Sequence, residues 1–233
     1  VGWWGVLIAV LGGAIRIGTP FLFVSLGECL TEKSGRINLG LEGTLVMGAM
    51  TGYAVALHSG SPWLGVLCAG LAGMVLGALH SWLCSFRRVN DIAVGIAMML
   101  FGTGLAFFLG KPYIQPSAPP LPSIDLGGWS DVPQLTAALQ INALFLLGIV
   151  VAVALGWMLK HTAWGLKVRV VGESADAARA LGLPVDRIRI MSTALGGFLA
   201  GIGGSYLSLY YPFNWSEGLS SGQGLMAVAL VIF

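Results

Sequence analysis

The side chains able to do chemistry are few and scattered. His58, His80 and His161 lie far apart, and Cys29, Cys68 and Cys84 sit in or beside apolar runs without metal-ligand spacing. No HExxH, paired-Cys or GxSxG pattern occurs. A metal-bound hydroxide or an activated nucleophile would therefore lack its partners. An odd cysteine count also argues against a complete disulfide framework. What stands out is ECLTEKSGRINLGLEG, residues 28–43, which sets Glu28, Glu32, Lys33, Arg36, Asn38 and Glu42 between two apolar runs. Charge beside lipid is costly, so it faces water, a cavity or a partner charge.

The surrounding elements are those of a membrane protein. The chain has 233 residues, 56% hydrophobic and 9% charged, with mean hydropathy +0.85. Soluble domains carry about 25% charged residues, so lipid must cover much of this surface. A net charge of +2 with no basic stripe gives nucleic acid nothing to bind. Runs of roughly 20 apolar residues mark transmembrane helices, and they fall at about 62–86, 92–110, 137–159 and 190–211, with a shorter one at 40–57. Arg16 and Pro20 interrupt the first run, which reads as an interfacial piece over 3–14 and a span over 17–31. The run from about 224 opens a further span. The fold class is an all-α polytopic transmembrane bundle, a single transmembrane domain over 1–233, with broken helix near 28–43. The chain starts at Val1 and stops inside an apolar run at Phe233, so both ends are expected to be cut.

Segment 160–189 holds six of the 12 Lys and Arg residues, and FRRVND at 86–91 holds two more. The positive-inside rule makes both cytoplasmic and puts the Pro-rich loop 111–136 outside. By alternation 28–43 lies toward the cytoplasm. Glu28, Glu32, Lys33 and Arg36 are then expected in the headgroup zone, paired locally. Asn38 and Glu42 begin the next span beside Gly40 and Gly43. They either cap that helix and tie it to its neighbour, or line a translocation path; non-helical backbone at depth needs such a setting. Glycines spaced by four, Gly73 and Gly77, Gly197 and Gly201 and then Ser205, predict close helix packing.

Within the cytoplasmic loop, GESADAARALGLP at 172–184 predicts a short helix. Ser174 serves as N-cap, Asp176 meets the helix dipole and Gly182 closes the last turn. Ala177, Ala178 and Ala180 keep its surface flat and Arg179 projects from it. It is either a partnerless loop helix or an element that seats in a groove on a soluble subunit. LSSGQ at 219–223 comes within one residue of the LSGGQ signature of ABC ATPases, but no GxxxxGK[ST] phosphate loop accompanies it. The chain is expected to hold no ATPase site, no metal and no cofactor of its own.

DAARALG at 176–182 is similar to the EAAxxxG pattern of ABC-transporter permeases, with Asp for Glu. The wider string from Val168 to Gly204 resembles the coupling loop and following span of the sugar, nucleoside and branched-chain amino-acid importer permeases. LGECLTEKSGRINLGLEGTLVMGAMTGY, RVNDIAVGIAMML and GQGLMAVALVIF resemble blocks of the nucleoside-type branch. Asp91 stands where Glu is usual, and Ser174-Ala175 where the family tends to have Asn-Pro. The resemblance implies an inner-membrane importer permease moving nucleosides, or else ribose or another simple sugar. It implies a second permease subunit, alike or different, and ABC ATPase subunits that use the ATP and dock at Ser174, Asp176, Ala177, Ala178, Arg179 and Gly182. An extracytoplasmic binding lipoprotein would deliver substrate. The alternative of another class is an ion-coupled carrier or facilitator, with Glu42 and His80 as its candidate relays. Phe101, Phe107 and Trp82 could stack on a base but read better as packed or lipid-facing.

Overall fold

The computed structural model describes residues 3–86, 88–114, 116–125, 140–210 and 213–232. Helices α1 (Trp3–Lys33), α2 (Leu41–Ser59), α3 (Pro62–Leu83) and α4 (Asp91–Gly110) open the chain. A 3₁₀ turn over Lys111–Tyr113 follows, then a two-stranded antiparallel ribbon, β1 (Ser123–Asp125) with β2 (Gln140–Asn142), in which Ile124 faces Ile141. Next come α5 (Ala143–His161), α6 (Ala163–Glu173), α7 (Ala175–Ala180), α8 (Val185–Leu209) and α9 (Gln223–Ile232). Five helices among the described residues are long and apolar enough to cross a membrane: α1, α3, α4 with its 3₁₀ extension, α5 and α8. The expected span over 137–159 begins in the structure at Ala143, and residues 137–139 lie outside the described ones.

The first run is one 31-residue helix rather than an interfacial piece and a span. Pro20 removes one backbone donor, yet breaking the helix in lipid would strip several, so the helix continues through it. The division near residue 17 exists in packing instead. Trp3, Trp4, Val10 and Leu11 are exposed, whereas Thr19, Pro20, Phe23, Val24 and Gly27 are buried. Helix α1 then runs on to Lys33, so the non-helical stretch between α1 and α2 is 34–40, shorter than the expected 28–43.

Helix α8 is the axis of the bundle, with α1, α2 and α3 packed around it. Its glycines let backbones touch: a side chain on Gly196 would lie 2.5 Å from the Gly27 carbonyl oxygen, and one on Gly48 would lie 2.5 Å from that of Gly201. Gly73 and Gly77 meet the Gly197 and Thr193 backbones in the same way, as the four-residue spacing predicts. Close approach replaces the missing hydrophobic drive between helices in lipid.

At one end of this axis the basic loops come together. Arg189 on α8 donates from Nε to the Ser34 carbonyl at 3.1 Å, and Arg36 pairs with Asp91 at the start of α4. The α1–α2 connection, the α3–α4 loop and the α6–α7 region therefore share the basic face. The ribbon and residues 116–122 sit at the opposite face, where Tyr53 Oη donates to the Pro116 carbonyl at 2.7 Å.

Candidate functional site

Two carboxylates lie deep in the bundle. Glu28 follows Gly27, which abuts Gly196 near the middle of the 25-residue α8. Glu42 precedes Gly43, whose side-chain position would be 2.8 Å from the Met98 carbonyl oxygen and 2.7 Å from that of Met99, midway along α4. Gly196 lies beyond the charged start of α8, Asp186 to Arg189, where that helix is buried against its neighbours. A carboxylate buried there needs a protein donor or a partner charge for each oxygen.

Glu28 is fully buried and accepts from the backbone N–H of Asn38 at 3.0 Å. Gly35, at φ +80°, reverses the chain after α1. Residues 36–40 then climb back along α1, which is how Asn38 reaches a side chain ten residues before it. Asn38 in turn accepts from the Gly40 N–H at 3.0 Å, a local turn that leads into α2. Glu28 Oε2 and Asn38 Nδ2 are buried with no hydrogen-bond partner among the described residues. Glu28 thus bonds to the returning backbone rather than to a neighbouring charge, because α1 remains helical to Lys33 and its side chain is covered by the 34–40 segment. Arg36 pairs across to Asp91 at 2.6 Å rather than locally, and Glu32 and Lys33 alone of that group are exposed.

Glu42 does not cap its own helix: α2 starts at Gly40 with no side-chain cap. Its carboxylate instead closes the N-terminus of α9. Ser220 Oγ donates to Oε1 at 2.5 Å, the Gly222 N–H donates to Oε1 at 3.2 Å and the Leu225 N–H donates to Oε2 at 3.1 Å. A negative charge here meets the positive end of the helix dipole and two amides that α9 cannot satisfy itself. Gly224 is pressed against Glu42, and a side chain there would sit 2.7 Å from its Cα.

This contact gives the chain after α8 a re-entrant course. Trp215 is buried against Gly110 and Phe107 at the far end of α4. Five residues later Ser220 is at mid-depth on Glu42. Helix α9 then turns back, since Ser25 meets Ala227 and Phe21, one turn earlier on α1, lies with Ala229 and Leu230. The apolar run from about 224 therefore begins at mid-depth rather than at a membrane surface. LSSGQ, which resembles an ATPase motif, is the turn that supplies Ser220. Ser220 does not stand out in the sequence as a site residue, and Glu28 reads there as one of several locally paired charges. The usable signals were a lone carboxylate inside an apolar helix and a Ser/Gly turn just before an apolar run.

The remaining candidates fall elsewhere. His80 is buried beside Cys84, Nε2 to Sγ 3.6 Å, near the Arg36–Asp91 pair, while Glu42 is engaged by α9. Burial, followed by the Asp91 charge, pushes the Cys84 thiol up to about 12, so it stays protonated and unreactive. Phe101 and Trp82 are about half exposed on the bundle surface, and Phe107 packs on Trp215. No cluster of three or more metal-ligating side chains occurs among the described residues.

On the basic face, Ser174 Oγ accepts from the Ala177 N–H at 3.2 Å, and Gly182 adopts φ +76° after the last turn of α7. Asp176, Ala177, Arg179 and Gly182 are exposed, and Arg179 pairs with Asp176 at 3.1 Å. Ala178 is instead buried against Val168, Val171, Val185 and Ile188. It seats α7 on its own chain and offers nothing to a partner.

Comparison with known proteins places this architecture. The family model for the branched-chain amino acid transport system / permease component matches residues 3–233. The putative glucose ABC transporter permease protein TsgC13 of Haloferax volcanii is 32% identical over 229 residues, 96% of this chain and 70% of that one. The nucleoside ABC transporter permease protein NupC of Lactococcus lactis is 30% identical over 96% of this chain and 74% of its own. The guanosine ABC transporter permease protein NupQ of Bacillus subtilis is 26% identical over 98% and 76%. No solved structure matches the chain. With spans, basic face and a match along nearly its whole length, the chain belongs to the branched-chain amino acid transport system permease family and is a multi-pass permease subunit of an ABC importer in the cytoplasmic membrane.

Proposed function

We propose that the chain carries nucleosides inward by alternating access, driven by separate ATPase subunits that dock on α7. The substrate reading rests on the two relatives named for nucleoside and guanosine transport, together with the 28–43 and 88–100 blocks. A simple sugar is the second reading, favoured by the 32% identity to a putative glucose permease. An extracytoplasmic binding protein delivers the substrate, and a second permease subunit completes the pathway.

The observation that carries the mechanism is the tie between Glu42 and the re-entrant turn at mid-depth. It lies at the end of a continuous line of contacts from the docking face. Ala178 seats α7 on Val185 and Ile188 of α8. Arg189, on the same helix, holds the Ser34 carbonyl at the entry to the 34–40 segment. That segment brings Asn38 to Glu28 and leads into α2, whose Glu42 grips Ser220. A push on α7 moves α8, and motion of α8 shifts the segment that positions Glu42. In this reading Asn38 and Glu42 act through the gate they build rather than as a cluster of substrate ligands. Two discrete arrangements of one packed element, biased from the cytoplasmic side, are what alternating access requires.

The test is reconstitution of the full-length permease with its ATPase and binding protein in liposomes, following labelled nucleoside and ribose. Nucleoside uptake that needs ATP and the binding protein is the expected result. Uptake of ribose alone moves the substrate and keeps the mechanism. Uptake that follows an ion gradient without ATP overturns both.

A further inference from the structure

At the outer face a cavity of about 370 Å³ opens between α1, the ribbon and the end of α8, and Arg16, Ser123, Gln140, Tyr210 and Phe213 line it with Pro120 and Pro122. We infer that this cavity is an entry subsite for a neutral nucleoside, a step between delivery outside and the re-entrant gate. The inference rests on the nucleoside reading above.

The volume falls within the range of small-molecule sites, roughly 300–1,000 Å³. Its chemistry is mixed in the way a base joined to a sugar requires. Phe213 is 53% exposed and offers a ring face. Base-on-aromatic stacking tolerates any base because every base has a π-face. Gln140 supplies an amide donor and acceptor, Ser123 a hydroxyl and Arg16 a planar fork of donors. Arg16 is the one charge in α1 between Trp3 and Glu28, and an ionisable residue so placed in an apolar helix is a functional candidate by default. The two prolines in its wall have no N–H to offer, where phosphate sites gather backbone donors.

The walls are held in place before any ligand arrives. Leu121 N–H donates to the Leu209 carbonyl at 2.9 Å, Asn142 Nδ2 to the Pro122 carbonyl at 3.4 Å and Tyr210 Oη to the Gln140 carbonyl at 3.3 Å. From the cavity an aromatic series leads inward. Ring centroids of Phe213 and Tyr210 are 5.9 Å apart, and those of Tyr210 and Tyr206 are 5.0 Å apart. Tyr206 is buried on α8, one turn beyond the glycines that face α2.

The test is photolabelling of the full-length permease–ATPase complex in nanodiscs with 8-azidoadenosine, without binding protein, and mapping of the labelled peptides. Label at 116–125, 140–142 or 206–213, competed by unlabelled adenosine and uridine but not by inorganic phosphate, is the expected result. Phe213→Ala should weaken it about tenfold, the cost of one lost stacking face. Gln140→Ala should also weaken it, and both variants should be recovered as monodisperse complex, which separates a lost contact from a failure to fold. Label elsewhere only, competition by phosphate, or label indifferent to both substitutions overturns the subsite. Because the readout is independent of transport, label here without ATP-dependent nucleoside uptake keeps the subsite and sinks the transport reading. Uptake without label does the reverse.

Discussion

Replacing Glu42 by glutamine keeps the shape of the side chain and removes its charge, and the structure says which bond must fail. Oε1 serves Ser220 and Gly222 while Oε2 serves Leu225. A glutamine has one acceptor oxygen, so whichever way its amide turns, an NH₂ faces a donor. One charge-assisted bond is lost and the negative charge leaves the end of α9, together costing about 2–3 kcal/mol. That cost falls on the contact between α2 and the turn over 218–222, so it appears as local opening rather than global unfolding. At 1.4 kcal/mol per decade, opening rises roughly thirty- to 150-fold. Hydrogen exchange with mass spectrometry on the full-length protein in nanodiscs reads this directly. Peptides covering 219–226 should exchange faster by that factor in Glu42→Gln, and peptides from α8 should not change. Ser220→Ala removes one donor and leaves both amides bonded, so its effect should be smaller, about 1 kcal/mol. The double variant should fall short of the sum, because the two side chains share one contact. Exchange over 219–226 that stays within about twofold of wild type in Glu42→Gln would show that packing, not the carboxylate, holds the turn.

Other expectations follow from neighbouring features. Asp176→Ala with Arg179→Ala should leave thermal stability unchanged, since that pair is exposed, but should lower co-purification of the ATPase. Unchanged recovery and uptake would remove α7 as the docking element. Arg36→Ala should cost about 3 kcal/mol in thermal unfolding, because it leaves Asp91 facing a buried site without its partner. Asp91 is partly exposed, so water softens the loss. Gly48→Val should block α2 from α8 and lower the melting temperature and the yield of monodisperse protein, since even the first carbon of a side chain meets the Gly201 carbonyl. Cys84 should resist maleimide at pH 8. Its folded thiol keeps its proton to about 12 against an ordinary value of 9.0, so any contribution it makes to stability is intact below pH 9 and lost as pH rises toward 12.

The sequence makes some of this legible and hides the rest for one reason. Features satisfied by neighbours a few residues away could be read: the Ser174 cap bonds three residues on, Gly182 ends its own helix, and the glycine spacing shows which faces of α3 and α8 meet. Features satisfied by distant backbone could not. Glu28 looks like one more charge in a polar stretch until the chain reverses at Gly35 and sets Asn38 beside it. Ala178 looks like a flat docking surface until Val185 and Ile188 lie under it. Glu42 is the extreme case, because its donor hydroxyl is 178 residues away.

Even so, the pairing obeys a rule that sequence can state. A carboxylate at mid-depth has no water, so some other part of the chain must bring it N–H and O–H donors. A helix that begins at mid-depth has the converse excess, amides with no acceptor. The first need is written at 38–43, where an acid sits among glycines. The second is written at 219–225, where Ser, Ser and Gly precede an apolar run. Each deficit is what the other lacks, and the re-entrant course of the chain is the geometry that lets them meet. In the proposed mechanism a gate built this way opens only if both deficits are exposed together or met by something else, so opening it would take work done on it from the basic face.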